Sequence, residues 1–534
     1  MHTIRPLSLP GALCLLLVPF FGSAVLGAQE AGRPQDLIRA TRVDSIFQAF
    51  DNTRSPGCAV GILEGGELAF ARGFGMANLD LGLAITPRSI FRTGSVSKQF
   101  TAAVVVLLAR EGAFSLDDPI RTYLPELAAL YQPITLRHLL HHTSGIRDYL
   151  ELMEMKGVGD EATYTEEDVV ELLARQEGLN FLPGTAFRYS NSGYALLSRI
   201  VDRATGYTLR EQAQRLLFGP LGMTHTHFHD DHREIVPLRA TGYNSAADGH
   251  FFVDQTTLDI VGDGGVFTSV EDMARWMANF WVLKIGGPEW LAAMENPGVL
   301  SSGDTLDYAL GLTLGEQRGL VTVGHGGSFV GYRAATLRYP TEGVGVMILC
   351  NYARVNPTAL AEGVGAVWLE DRMEPPAPPP PARQEAEAPR APQERPLPMS
   401  RELEAALVGT YYSRELDATY RIVREGDNLV LDMNGVSMVP MTGGPEGTVR
   451  ADWLTLTYHM EGPTVNGFQA GSGRAGGIEF RRITPSGRDP VVGLDDEDVV
   501  RPGMEHGLLV PPEVEVAHSL GVVRAVLLPG QVEG

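Results

Sequence analysis

Only three of the chain's 43 basic residues are lysine (Lys98, Lys156 and Lys284), and the first closes the stretch Gly94-Ser95-Val96-Ser97-Lys98. A position that takes lysine in so arginine-rich a chain calls for an amine able to lose its proton, which burial or cationic neighbours permit for lysine and not for arginine. Residues three apart on a helix share a face, so the Lys98 amine would reach the Ser95 hydroxyl one turn below. Ser-x-x-Lys is an activated-nucleophile arrangement. Taken alone, Ser95 would serve as well as a helix cap, with Lys98 a surface residue of the first turn.

Two later segments carry groups of the same kind. Phe187-Arg188-Tyr189-Ser190-Asn191-Ser192-Gly193-Tyr194 sets a Tyr-x-Asn in a loop ahead of an apolar helix, and Gly324-His325-Gly326-Gly327-Ser328 follows the apolar run 320–323. Singly, Tyr189 reads as a packed aromatic, Asn191 as a helix cap and His325 as a hydrogen-bonded strand histidine. A further constellation, His227-x-His229-x-Asp231-His232, fits the signature of the metallo-β-lactamase fold and has a spacing able to bind zinc. That motif belongs on a loop after an apolar strand, however, and the run 216–223 before it reads as a helix end and turn.

The elements that must position these groups follow from periodicity. Residues 99–111, stopped by Gly112, are apolar on nearly all sides and predict a core helix. Ser95 would lie at its N-terminus, where unpaired N–H groups and the helix dipole favour a developing oxyanion. A helical pattern at 36–50 precedes a predicted hairpin, 58–63 and 67–71, turning at Gly65-Gly66. Strand-like runs at 320–323, 332–339 and 345–350 and a helical pattern at 358–369 lie far along the chain, with a mostly helical stretch, 97–296, between. The implied fold is α/β (α+β): an antiparallel sheet assembled from both ends of the domain, flanked by helices, with a helical insertion.

From Ala377 to Pro398 the composition turns to Pro, Ala, Glu and Arg, with Pro378 through Pro381 unbroken, which marks 374–400 as a semi-rigid linker. Beyond it, residues 403–484 give short strand-like runs, 419–423, 428–432, 453–458 and 478–480, separated by Gly-Asp and Asn-Gly turns. They predict a small all-β barrel or sandwich. The tail, 485–534, shows no pattern.

The net charge of −22 argues against nucleic acid or an anionic membrane surface as a partner. Arg5 is followed by no charged residue until Glu30, and the apolar run 13–21 with small residues at Gly27-Ala28 reads as a signal peptide, 1–28, of a secreted or periplasmic protein. An uncleaved membrane anchor is the competing reading. Cleavage leaves Cys58 and Cys350, too few for a disulfide framework.

In order and spacing, Ser-x-x-Lys, Tyr-x-Asn and His-x-Gly, together with the segments 141–145 and 264–269, resemble the serine β-lactamase-related family of class C β-lactamases, D-alanyl-D-alanine carboxypeptidases and esterases. The resemblance covers about Asp36 to Leu369 and implies a catalytic domain over 36–372. It implies Ser95 as nucleophile, Lys98 as the group that activates it, and Tyr189 as the base or acid that passes the proton to the leaving group. Asn191 would hold the acyl side chain or orient Lys98. His325 and Gly327 would flank the substrate, and the backbone N–H groups of Ser95 and Ser328 would form the oxyanion hole. The implied protein hydrolyses a small ester, amide or peptide without metal or organic cofactor. In the fold so resembled Cys58 and Cys350 stand on neighbouring strands, so both are expected to be buried; a disulfide between them is open, but because cross-strand bridges demand a narrow Cβ separation, free thiols are the expected state.

One departure bears on substrate. Where β-lactamases and carboxypeptidases usually show Lys-Thr-Gly, this chain has His325-Gly326-Gly327, without the ammonium and hydroxyl that hold a substrate carboxylate, although Arg333 is close in sequence. Esterase-like activity is therefore expected ahead of β-lactamase or carboxypeptidase activity. Readings of another class are a zinc hydrolase built on His227, His229, Asp231 and His232, or a catalytically silent peptidoglycan-binding module.

Overall fold

The aliphatic runs at the two ends of the first domain pair into one sheet in a computed structural model that describes residues 34–159, 162–376, 397–445 and 447–483. The segment 1–28 expected to be a signal peptide, most of the Pro-rich linker and the tail lie outside the described residues. The strands stand in the order Thr313–Gln317, Leu320–Phe329, Tyr332–Tyr339, Val344–Cys350, Cys58–Glu64, Glu67–Phe74, every neighbouring pair antiparallel. Side chains alternate across it. Cys58, Val60 and Ile62 join Val364 and Trp368 of the helix Pro357–Trp368 on one face, and Ala59 and Leu63 join the larger core with Val270 and Met273 of the helix Val270–Val282 on the other.

Three expectations change in detail. The first helical pattern is an α-helix only over Pro34–Ile46, followed by a short turn, Gln48–Phe50. The stretch 97–296 carries small strands among its helices, among them Val266–Thr268, which pairs with both Phe91–Arg92 and His227–Phe228. The strand expected over 320–323 continues to Phe329, so the His-Gly-Gly segment lies within it. Glycines that read as strand breakers instead permit close approach: a Cβ on Gly324 would meet the Thr336 carbonyl oxygen at 2.1 Å, and one on Gly327 the Thr93 carbonyl oxygen at 2.0 Å.

The expectation of free thiols is also corrected. Cys58 and Cys350 are both buried, as expected, but stand directly opposite in register, Cα atoms 4.0 Å apart, and are joined in a disulfide. Register is set by the whole strand pair, and neither cysteine's local sequence shows it.

Past the helix Arg401–Leu407, eight strands from Gly409–Ser413 to Ile478–Ile483 form a closed barrel, the first pairing with the last. Its interior is packed: Tyr411, Tyr420, Phe468 and Phe480 are fully buried, and the rings of Tyr420 and Phe480 stack at 4.1 Å. The four expected runs are strands. Gly409–Ser413, Ser437–Gly443, Thr448–Ala451 and Thr464–Gly471 were missing from that reading, being short or broken by Pro440 and Gly467.

The described residues of both parts fall within one compact unit. The barrel is held to the first domain by Arg147, whose ion pair with Glu415 is 4% exposed on each side, and by the Tyr420 hydroxyl, which donates to the Met155 carbonyl at 2.7 Å. No helix among the described residues is long and apolar enough to cross a membrane.

Candidate active site

Ser95 lies in a tight turn, Gly94–Ser97, that feeds directly into the core helix Lys98–Arg110. The turn is held from below. Thr93 N–H donates to the Val266 carbonyl at 2.9 Å, and Val266 N–H to the Ser97 hydroxyl at 3.0 Å. Gly94 has φ +52°, and a Cβ there would stand 2.8 Å from the Ser328 backbone nitrogen. Gly94 and Gly327 thus let the nucleophile turn and the strand Leu320–Phe329 meet backbone to backbone, bringing the Ser328 N–H beside Ser95.

Lys98 is wholly buried, and its Nζ donates to Ser95 Oγ at 3.2 Å, Asn191 Oδ1 at 2.8 Å and the Asp263 carbonyl at 2.6 Å. Burial lowers its pKa to about 8, opposed by the charges of Asp263 and Asp148. Asn191 opens the helix Asn191–Thr205 and is locked by Asp148, whose Oδ2 accepts from its backbone N–H at 2.7 Å and from Nδ2 at 2.9 Å. Asp148, placed at a helix N-terminus, fixes the amide so that its oxygen faces Lys98. Asp263, raised by burial to about 6, accepts from the Tyr149 hydroxyl at 3.1 Å.

The Tyr189 hydroxyl is buried beside Ser95 with no fully formed hydrogen bond, and Lys98 Nζ lies 4.8 Å from its ring centroid. Burial pushes its pKa far up, with Ser95 opposing, so it stays a phenol.

His325 lies in the strand beneath this group, 6.1 Å from the Tyr189 ring, and its environment fixes its protons. His142 Nδ1 accepts from Ser190 N–H at 3.2 Å, which leaves the proton of the neutral ring on Nε2, 3.2 Å from the Tyr308 hydroxyl. Tyr308 in turn lies 3.1 Å from His325 Nε2, and His325 Nδ1 faces the Gly326 carbonyl, which can only accept. The Gly326 carbonyl fixes the proton of the neutral His325 ring on Nδ1 and leaves Nε2 facing the Tyr308 hydroxyl. Burial lowers His325 to about 4, so it is neutral at ordinary pH. It lines the cleft with its one proton engaged by the Gly326 carbonyl.

The structure brings Ser95, Lys98, Tyr189, Asn191, His325, Gly327 and Ser328 around one cleft of about 660 Å³, apart from Lys98, which reaches it from below through Ser95. It does not bring the histidine motif together. His227 and His229 converge with Glu234, while Asp231 and His232 converge with Asp259. Glu234 is also held by Arg210 at 2.7 and 2.9 Å, so the four motif residues form no single ligand set.

Sequence reasoning missed Asp148, Asp263, Tyr308 and the cleft arginines Arg92 and Arg474. Asp148 follows Gly145-Ile146-Arg147 and Asp263 lies between glycines, so loop position was the available signal. Arg474 sits in a Gly-rich barrel turn and reads as an ordinary solvated arginine.

Comparison with known proteins agrees with this geometry. The Beta-lactamase family model matches residues 43–364. A D-aminopeptidase of Gluconobacter oxydans is 28% identical over 312 residues, 58% of each chain. Penicillin-binding protein 4* of Bacillus subtilis is 28% identical over 315 residues, 56% of this chain and 68% of that one. The chain thus spans less than two thirds of the length of its D-aminopeptidase relatives. The octameric penicillin-binding protein homologue of Pyrococcus abyssi shares the fold, with a TM-score of 0.55 at 24% identity over 82% of this chain and 99% of that one. A half-buried serine and tyrosine on the cleft with a buried lysine behind them, set between a core helix and an antiparallel sheet, together with a family match over residues 43–364, places the chain in the β-lactamase family.

Proposed function

We propose that this protein is an exported serine hydrolase that forms an acyl-enzyme on an ester or amide. The observation that carries the reading is the 3.2 Å contact between the buried Lys98 amine and Ser95 Oγ, beside a buried Tyr189 phenol. Neutral Lys98 takes the Ser95 proton as Oγ attacks the carbonyl carbon, and the oxyanion is received by the backbone N–H groups of Ser95 and Ser328. The carbonyl re-forms, the bond to the leaving group breaks, and the proton passes from Lys98 through Tyr189 to that group. Tyr189 acts as an acid in this scheme because burial keeps it protonated. Water then attacks the acyl carbon, giving its proton to Lys98, and Ser95 leaves with a proton as the acid departs.

Activated esters lead the expected substrates, since they need only the nucleophile, its base and the two N–H donors. Amides are the second reading, favoured by the D-aminopeptidase and penicillin-binding relatives. A substrate with a free ammonium finds little support. Arg92, Arg333 and Arg474 line the cleft, and its Asp263 carboxyl is already bonded to Tyr149. Residues 325–327 offer a cephalosporin's carboxylate no side-chain donor, so any anchor for it must come from another wall of the cleft.

The test is a fluorophosphonate probe with kinetics on a p-nitrophenyl ester and a chromogenic cephalosporin. Ser95 should be labelled, Ser95→Ala should be unlabelled and inactive, EDTA should leave the rate unchanged, and the ester should have the higher kcat/KM. Loss of activity in EDTA with recovery on adding zinc, or an active Ser95→Ala variant, would overturn the reading.

A further inference from the structure

The barrel delivers a side chain into the cleft. Between its last two strands, Thr464–Gly471 and Ile478–Ile483, the chain crosses to the first domain and is pinned there by its backbone. Arg474 N–H donates to Glu151 Oε2 at 2.8 Å, and the Ser472 hydroxyl to the same carboxylate. The Arg474 carbonyl accepts from Asn180 Nδ2 at 2.8 Å, Gly476 N–H donates to Asn180 Oδ1 at 3.1 Å, and the Gly477 carbonyl accepts from Arg147 at 3.0 Å. Only the Arg474 side chain is left free of these contacts. Its guanidinium carbon lies 5.1 Å from the centroid of the Tyr189 ring, and among the described residues the guanidinium has no hydrogen-bond or ion-pair partner.

A second observation points the same way. Arg92, 3% exposed, lines the same cleft with both terminal nitrogens 3.4 Å from the Leu258 carbonyl and with Nε unpartnered. Arg333, also lining it, donates only to the carbonyls of Val330 and Tyr332, both at 2.7 Å. Among the described residues none of the three cleft arginines is paired with a carboxylate. Guanidinium groups with no carboxylate at ion-pair distance beside a substrate cleft can receive one from the substrate, and the planar fork matches a carboxylate.

We propose that Arg474 is a specificity residue of the active site, supplied by the barrel, that binds a carboxylate on the leaving-group half of the substrate. This deepens the acyl-enzyme reading and rests on it: if Tyr189 hands the proton to the leaving group, that group extends over the Tyr189 ring, where the guanidinium waits. The carboxylate anchor missing from His325-Gly326-Gly327 is thereby supplied from another wall of the cleft. The substrate class is an ester or amide whose departing part is anionic.

The test compares p-nitrophenyl acetate with the same ester carrying a ring carboxylate, so that the acyl group is constant. The ratio of kcat/KM, anionic over neutral, should fall about tenfold or more in Arg474→Ala and further in Arg474→Glu. Arg474→Lys should recover part of it, and added salt should lower the wild-type ratio. An unchanged ratio in Arg474→Ala, or equal loss on both esters, would overturn the proposal. Fluorophosphonate labelling of Ser95 separates the two failures: labelled protein with an unchanged ratio removes only the role of Arg474, whereas unlabelled wild type removes the acyl-enzyme reading itself.

Discussion

Lys98 shows why the site needs lysine and not merely a cation. A buried ammonium with three acceptors, the Ser95 hydroxyl, the Asn191 amide oxygen and the Asp263 carbonyl, is well held, yet burial brings its pKa down to about 8, within reach of neutral solution. The neutral amine is the base, so the sign is fixed: kcat/KM on a neutral ester should rise with pH and reach half its maximum near pH 8. Lys98→Arg keeps the charge and never yields the base, so it should lose about 10²- to 10⁴-fold, as much as Lys98→Ala. A pH profile flat from 6 to 9, or an active Lys98→Arg enzyme, would remove Lys98 from that role. Ser95 and Lys98 could be picked out as candidates from their short spacing, whereas Tyr189 and Asn191, bland singly, stood out only through the order of three motifs along the chain. His325 was legible as a position but not as a role. Its Nδ1 proton goes to the neighbouring Gly326 carbonyl and its Nε2 faces Tyr308, a residue outside the strand that no spacing within it reveals.

At the scale of elements, the sheet, the core helix and half of the barrel could be read from periodicity, while register and docking could not. The strand Leu320–Phe329 is the clearest case, since its glycines look like interruptions until Thr93 and Thr336 are seen against them. The expectation that carboxylate-bearing substrates are poor rested on that strand alone and takes no account of an arginine arriving from the barrel. The barrel holds Arg474 in place through Glu415, at the turn after its first strand. Glu415 meets Arg147 in a pair almost closed to solvent and accepts from Glu177 N–H at 2.9 Å. Removing one partner of such a pair strands the other, at about 3–5 kcal/mol. Glu415→Ala should therefore lower the unfolding midpoint markedly, whereas Arg424→Ala, at a pair whose arginine is 42% exposed, should shift it by about 1 kcal/mol or less. Equal shifts in the two variants, measured by chemical denaturation, would show that the barrel does not depend on Arg147.

For the whole molecule, the disulfide and the N-terminal segment make one argument. The central sheet is closed by pairing Cys58–Glu64 with Val344–Cys350, two strands whose cysteines are 292 residues apart in sequence, with the whole helical insertion between them. A bridge across so long a loop removes much of the unfolded chain's freedom and contributes about 2–5 kcal/mol. Such bridges persist in oxidising compartments, and the signal peptide expected over 1–28 would carry the chain to one. The charge-free N-terminal run and the facing cysteines therefore predict the same event from independent residues. Protein recovered from an export-competent host should begin near residue 28 and, unreduced, yield one peptide pair joined through Cys58 and Cys350, with no thiol alkylated at either position after unfolding. Its unfolding midpoint should fall on reduction. The same chain made in a reducing cytosol should keep its N-terminus and be less stable by a similar amount. Two alkylatable thiols in exported, trimmed protein would separate the two inferences, leaving export standing and removing the bridge from the account of stability.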